Sequence, residues 1–268
     1  MDQSIKTVDD ISKIRQIIGR VKSLGRGLNT NFFPNTAANR QWIEQQSLFS
    51  CTVGDISLLI HTTPEVSEIY YFSPADISPE DAINSISEKI VGPAIVEVIK
   101  RDKTPAFSFP VEMIIQRYYV VTTEIKNLPL THQSTNIVTV SSDEYLSEIH
   151  RLLTTEFNPV AERIPSVEQL KALGDNNCIY VAGTPEKIEA FVIAERNHAF
   201  NHLRYWWVSS NQRGKGIGSS LLRKYLMDGA DCQKSILWVD LLNSTAINAY
   251  RHFGFSPENL YDIIYRIK

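Results

Sequence analysis

Val208-Ser209-Ser210-Asn211-Gln212-Arg213-Gly214-Lys215-Gly216-Ile217-Gly218 is the stretch on which the reading of this chain turns. It joins a strand-like run, 203–209, to a helix-like stretch, 216–228, whose Ile217, Leu221, Leu222, Tyr225 and Leu226 share one face. Glycines at 214, 216 and 218 let backbone N–H groups converge on an oxyanion, and the positive end of the following helix favours the same anion. Arg213 and Lys215 add charge beside that nest. The segment reads as a pyrophosphate cradle. It is not a dinucleotide fingerprint, because Ser219 stands where the last glycine would be, and it lacks the spacing of a P-loop.

The surroundings bound what such a cradle can serve. The chain has 268 residues, 43% hydrophobic and 21% charged, with net charge −3. That length suits two domains of ordinary size, and the apolar fraction is that of a packed protein. No apolar run has the length of a membrane helix, and no secretory h-region follows Met1, so a cytoplasmic protein without membrane contact is expected. Cys51, Cys178 and Cys232 are too scattered for a disulfide framework or a zinc knuckle. The balanced charge offers no electrostatic case for nucleic acid.

Periodicity gives the same order of elements twice. A helical stripe of Ile11, Ile14, Ile18 and Val21 is followed by strand-like runs 47–53 and 56–62, joined by Gly54-Asp55. A second stripe, on a helix over 143–156 with Leu146, Ile149, Leu152 and Leu153, is followed by runs 178–183 and 188–196. Each half continues with a third strand (68–73; 203–209), a helix (79–90; 216–228) and a buried-looking strand (94–100; 236–242). Ser141 and Glu144 have capping-box spacing, and Ser78 is the expected N-cap of the helix at 79–90. Two similar domains are expected, over 1–128 and 136–268, parted by the polar stretch 127–136. Downstream, 236–242 reads as a strand and Ser244 as the cap of a helix striped by Ala246, Ala249, Tyr250 and Phe253, which Gly254 ends.

These residues resemble the GCN5-related N-acetyltransferase (GNAT) superfamily. The loop matches its acetyl-CoA pattern, R/Q-x-x-G-x-G/A after a strand, with Arg213, Gly216 and Gly218 in the pattern positions. The segment Asn243-x-x-Ala246-x-x-x-Tyr250, then Phe253-Gly254-Phe255, matches a second family feature. The resemblance implies an α/β fold built on a mixed sheet, the acyl-CoA N-acyltransferase fold, here in tandem with a degenerate first half. It implies an enzyme that moves acetyl from acetyl-CoA, its cosubstrate, to a primary amine of a small molecule, with no metal. Backbone groups of Trp206, Trp207 and Val208 would pair with pantetheine, and the Val208 N–H would face the thioester oxygen. Arg213, Gly214, Lys215, Gly216, Ile217, Gly218 and Ser219 would hold the pyrophosphate, with Asn243 on the cofactor or its helix. Tyr250 would protonate the departing thiolate.

The base is open, because the strand before the loop, Leu203-Arg204-Tyr205-Trp206-Trp207-Val208, carries no carboxylate. Glu195, Asp240 and His198 are the candidates. His198 and His202 are expected in a strand connection and not as a metal pair. In the first half, 74–81 replaces the glycine loop: Pro79 removes a backbone donor, and Asp76, Glu80 and Asp81 would repel pyrophosphate, so that half is expected to lack CoA. A non-catalytic CoA-binding sensor and an aminoacyl transferase using charged tRNA stand as alternatives, and a homodimer is compatible with the sequence.

Overall fold

The computed structural model describes residues 4–127 and 136–268, without the side chains of 37, 124, 126 and 127; 128–135, most of the expected boundary stretch, lie outside the described residues. The chain runs β1 (Lys6–Thr7), α1 (Ile11–Lys22), β2 (Asn29–Thr30), α2 (Thr36–Glu44), β3 (Leu48–Val53), β4 (Ile56–Thr62), β5 (Ser67–Ser73), α3 (Glu80–Ser87) and β6 (Ala94–Lys100). It continues with β7 (Val111–Val121), β8 (Ile137–Thr139), α4 (Asp143–Glu156), α5 (Val167–Asp175), β9 (Ile179–Thr184), β10 (Lys187–Arg196), β11 (Phe200–Val208), α6 (Ile217–Asp228), β12 (Lys234–Asp240), α7 (Ser244–His252) and β13 (Ser256–Arg266). The repeated order is present, with a helix pair opening each copy: α1 and α2, then α4 and α5. The sequence reading had one helix in each place. The second pair member is short and set by caps: Asn35 accepts from Ala38 N, and Ser166 with Gln169 forms a full capping box. At the start of α4, by contrast, the N-cap is Ser142, without a side-chain cap bond. Pro79 is the N-cap of α3, and the Ser78 hydroxyl accepts from Glu80 N.

The chain forms two compact units, Met1–Ile114 with Tyr261–Lys268, and Ile115–Leu260. These differ from the expected 1–128 and 136–268 in the ownership of two strands. Residues 115–121 of β7 pair antiparallel with β12 in the second unit, while residues 261–266 of β13 pair antiparallel with β6 in the first. Burial explains the exchange: Tyr118 and Val120 belong to the core that holds Leu221, Tyr225 and Tyr250, whereas Ile263 and Tyr265 belong to the core that holds Ile83, Ile86 and Val96.

In the first unit the order is β1-β3-β4-β5-β6-β13, with β2 also on β5; in the second it is β7-β12-β11-β10-β9-β8. Among the described residues each unit holds one parallel pair. In the second unit β11 and β12 run together from Phe200↔Lys234 to Leu203↔Leu237 and no further, although β11 continues to Val208. In the first, β5 and β6 are registered only at Ser67↔Ala94 and Glu68↔Ile95. Both pairs part beyond their first residues. In the first unit the gap is bridged from within. The Asn31 Nδ2 donates to Ile69 O (3.1 Å) and Glu97 O (3.0 Å), and its Oδ1 accepts from Tyr71 N (2.8 Å). Asn29 and Thr30 pair with Ser73 and Phe72 on the same strand.

Tyr265 is fully buried and its hydroxyl accepts from Ala106 N. Tyr265→Ala should destabilise the first unit by about 3–5 kcal/mol, as large aromatic truncations do. Chemical denaturation checks this, and a cost below about 1 kcal/mol would show that β13 is not part of that core.

Candidate active site

The site grows from the parting of β11 and β12. Ser209 N bonds Glu189 O on the β10 side, so by strand alternation the N–H and C=O of Val208, and those of Trp206, point toward β12. Beyond Leu203 no β12 residue is in register to meet them. The Val208 carbonyl is taken by Arg213 Nε at 3.1 Å, which leaves the Val208 N–H facing the gap. Neighbouring side chains on β11 go to opposite faces. Trp207 stacks on Phe191 (5.5 Å) and donates to Glu156 (3.2 Å), while Trp206 lies against Tyr250 (5.3 Å).

The glycines of the loop divide two tasks. Gly214 and Gly216 have φ of +77° and +83°, a region open to glycine, and a side chain at either would meet only open space. Gly216 is the N-cap of α6, and no acidic residue sits in that helix's first turn. Gly218 is a packing glycine: a Cβ there would stand 2.9 Å from Val208 Cγ2 and 3.0 Å from Trp206 Cζ2. The start of α6 is thereby drawn against β11, with its unpaired N–H groups over the gap. Gln212, bonded to Glu189 at 2.7 Å, anchors the loop from the other side. Trp206 Nε1 is buried without a partner beside Gly218, a donor left for a ligand. An open cradle, an orphaned donor and unpaired strand amides fit a pyrophosphate with an amide-bearing arm.

Residues 146–255 match the model of the acetyltransferase (GNAT) family. The second unit carries a GNAT domain. The whole chain has the tandem GNAT fold, mixed α/β in two similar units. It resembles a tandem GNAT protein from the clavulanic acid biosynthesis pathway, solved without AcCoA, at a TM-score of 0.60 and 10% identity, over 99% of this chain and 98% of that one. The GCN5-related N-acetyltransferase from Sphaerobacter thermophilus gives 0.56 and 12%, over 98% and 94%. A GNAT-family acetyltransferase from Colwellia psychrerythraea gives 0.51 and 15%, over 98% and 99%. Identities this low establish the fold alone. No curated protein sequence matches the chain.

Within the GNAT domain, Asn243 is the N-cap of α7, accepting from Ala246 N at 3.1 Å, so Ser244 is the first helical residue and not the cap. Tyr250 is buried on α7 between Trp206 and Phe255. Burial pushes its phenol well above the ordinary value, and the nearby Glu162 charge adds to that shift. The hydroxyl therefore keeps its proton throughout the working range. Glu195 is an exposed carboxylate in an ion pair with Arg204 at 2.7 Å. Asp240 ends β12 and accepts from Leu242 N at 2.9 Å.

His198 lies in the turn before β11, but His202 is on β11 itself, opposite Ile236, and not in a connection. Burial, with Arg204 and Arg117 nearby, lowers its pKa to about 3, so the imidazole is neutral. Among the described residues no three His, Cys, Asp or Glu side chains converge on a metal position, and no helix is long and apolar enough to cross a membrane.

The sequence reading passed over Glu162. It lies after α4, in the connection 157–165 to α5, a segment and a helix to which the sequence reading assigned nothing. Asn158 builds the turn that carries it: its Oδ1 accepts from Val160 N and Ala161 N, and its C=O from Glu162 N at 2.8 Å. Tyr205 on β11 fixes the same segment by donating to Arg163 O at 2.5 Å.

Asn243→Ala removes the α7 cap and should cost about 0.5–2 kcal/mol. Thermal unfolding of the variant checks this; an unchanged midpoint would mean that the helix carrying Tyr250 is held by packing alone.

Proposed function

We propose that the second unit transfers an acetyl group from acetyl-CoA to a primary amine of a small molecule by direct attack. Acyl transfer is the chemistry of the GNAT family whose domain it carries. The observation that supports the finer reading is the gap beyond Leu203↔Leu237, with the Val208 N–H facing it and the glycine cradle at its end. Bound there, acetyl-CoA would supply a thioester. The backbone of Gly214, Lys215, Gly216, Ile217, Gly218 and Ser219 would hold the pyrophosphate, aided by the α6 dipole and by Arg213 and Lys215. The strand groups of Trp206 and Val208 would pair with the pantetheine amides, with Trp207 backing them through Phe191. The Val208 N–H would stabilise charge developing on the thioester oxygen. Tyr250, kept protonated by burial, would give its proton to the leaving sulfur. Asn243 would set the pitch of the helix that presents Tyr250.

The first unit, in this reading, is a degenerate copy that takes no CoA. Asn31 occupies the gap between β5 and β6 that the second unit leaves open. At the start of α3, Glu80 and Asp81 sit where an anion would bind, and Glu80 is tied to Ser108 N at 2.9 Å. Asp76 is committed to Arg26 at 2.5 Å.

Gly216→Asp should lower CoA affinity by about 100-fold or more, since like charge at the nest costs several kcal/mol. Isothermal calorimetry reads this, and retained affinity would place the cofactor elsewhere. Tyr250→Phe should lower turnover by about 100-fold or more and leave CoA affinity nearly unchanged. An undiminished rate in a thiol-release assay would remove Tyr250 as the acid.

A further inference from the structure

Glu162 is set apart from the other carboxylates of the second unit by what surrounds it. Its side chain is half-buried and its carboxylate takes a backbone hydrogen bond from Asn158. Three groups from other elements lie within electrostatic reach: Asp240 from the end of β12, Tyr205 from β11 and Tyr250 from α7. Asp240 ends the strand from which β11 has parted, and Tyr250 is the proposed acid. Tyr205, two residues beyond the point where β11 parts from β12, donates to Arg163 O at 2.5 Å, which fixes the residue next to Glu162 against the parted strand, on the turn that Asn158 builds. Glu195, by contrast, is exposed and neutralised by Arg204.

We propose that Glu162 is the catalytic base of this unit, that it takes a proton from an acceptor amine arriving as an ammonium ion, and that Asp240 is the second carboxylate drawing such a cation in. The proposal rests on the acyl-transfer reading above. Burial, opposed by the Asn158 amide and reinforced by the Asp240 charge, raises Glu162 to about 7. A carboxyl so placed is ionised above neutrality and basic enough to accept a proton there, which an ordinary carboxylate is not. Its carboxylate would remove one proton from the ammonium nitrogen, freeing the lone pair that forms the C–N bond to the thioester carbonyl carbon. The C–S bond breaks with its electron pair on sulfur, which Tyr250 protonates. The second amine proton, released as the amide forms, reaches Tyr250 through solvent, and Glu162 returns its own to water. Ammonium and thioester become amide, thiol and one proton.

The experiment has a ligand-free arm and a turnover arm. In carboxyl-¹³C-glutamate-labelled protein without CoA, the signal absent from Glu162→Gln should titrate near pH 7, and Asp240→Asn should move that midpoint down by removing a like charge. Turnover is then measured on the fastest member of a primary alkylamine and benzylamine panel, cationic at neutral pH, and on hydroxylamine, which is uncharged there. Glu162→Gln should lose about 100-fold or more on the cationic amine and far less on hydroxylamine, and wild-type turnover of the cationic amine should rise through about pH 7 to a plateau. A midpoint in the ordinary carboxylate range, or equal losses on both acceptors, would overturn the base while leaving acyl transfer intact. Wild-type protein that acetylates no amine of the panel and not hydroxylamine would overturn the acyl-transfer reading and the base with it.

Discussion

Everything at the site depends on a parallel strand pair that stops pairing. β11 continues for five residues beyond Leu203, but the partner on β12 has ended its register, and the backbone groups of Trp206 and Val208 are left directed at a gap. Unpaired strand amides are costly when dry, so such a gap persists only where something satisfies or covers it. The chain covers part of it. Arg213 takes the Val208 carbonyl, and Gly218 lets the first turn of α6 press against Val208 and Trp206. What is left is a row of donors leading from the strand to a helix N-terminus. In the proposed reading, a ligand with an amide-bearing arm and a diphosphate would pair with that row.

The first unit meets the same constraint and resolves it differently. Its parallel pair parts after Glu68↔Ile95, and the side-chain amide of Asn31 then spans the two strands with three hydrogen bonds. A primary amide offers donors and an acceptor as a peptide group does, so one side chain bonds to both strands. In the proposed reading the helix that follows takes no anion. Glu80 and Asp81 at its start suit its own dipole instead. One architecture therefore leaves the parted strand groups free in one unit and bridged by a side chain in the other, where a cavity of about 500 Å³ remains beside Asn31, Tyr71 and Lys100.

Legibility in the sequence followed the range of the interactions. Local chemistry was readable: the Gly54-Asp55 hairpin, the helix over 143–156 and the strand–glycine–helix order around Gly216 are all present. The opposed faces of Trp206 and Trp207 follow from strand alternation. The helix that carries Tyr250 was readable too, although its cap is Asn243, which accepts from Ala246 N, and not Ser244. What was not readable depends on partners far apart in the chain. β7 and β13 exchange units because their alternating apolar residues fit the opposite core, a choice made in tertiary packing. Asn31 is one polar residue in a loop until Ile69, Tyr71 and Glu97 surround it. Glu162 is one of many carboxylates until the Asn158 turn, Tyr205, Asp240 and Tyr250 give it a distinct environment. His202, expected in a strand connection, lies on a strand because β11 begins at Phe200, ahead of the apolar run that marks it in the sequence.

The contrast between an open and a bridged gap is tested most directly by counting cofactor sites. Calorimetric titration of the whole chain with acetyl-CoA should give one site per chain, and Gly216→Asp should remove it. Two sites per chain, or one that survives Gly216→Asp, would show that the first unit still receives the cofactor despite the Asn31 bridge.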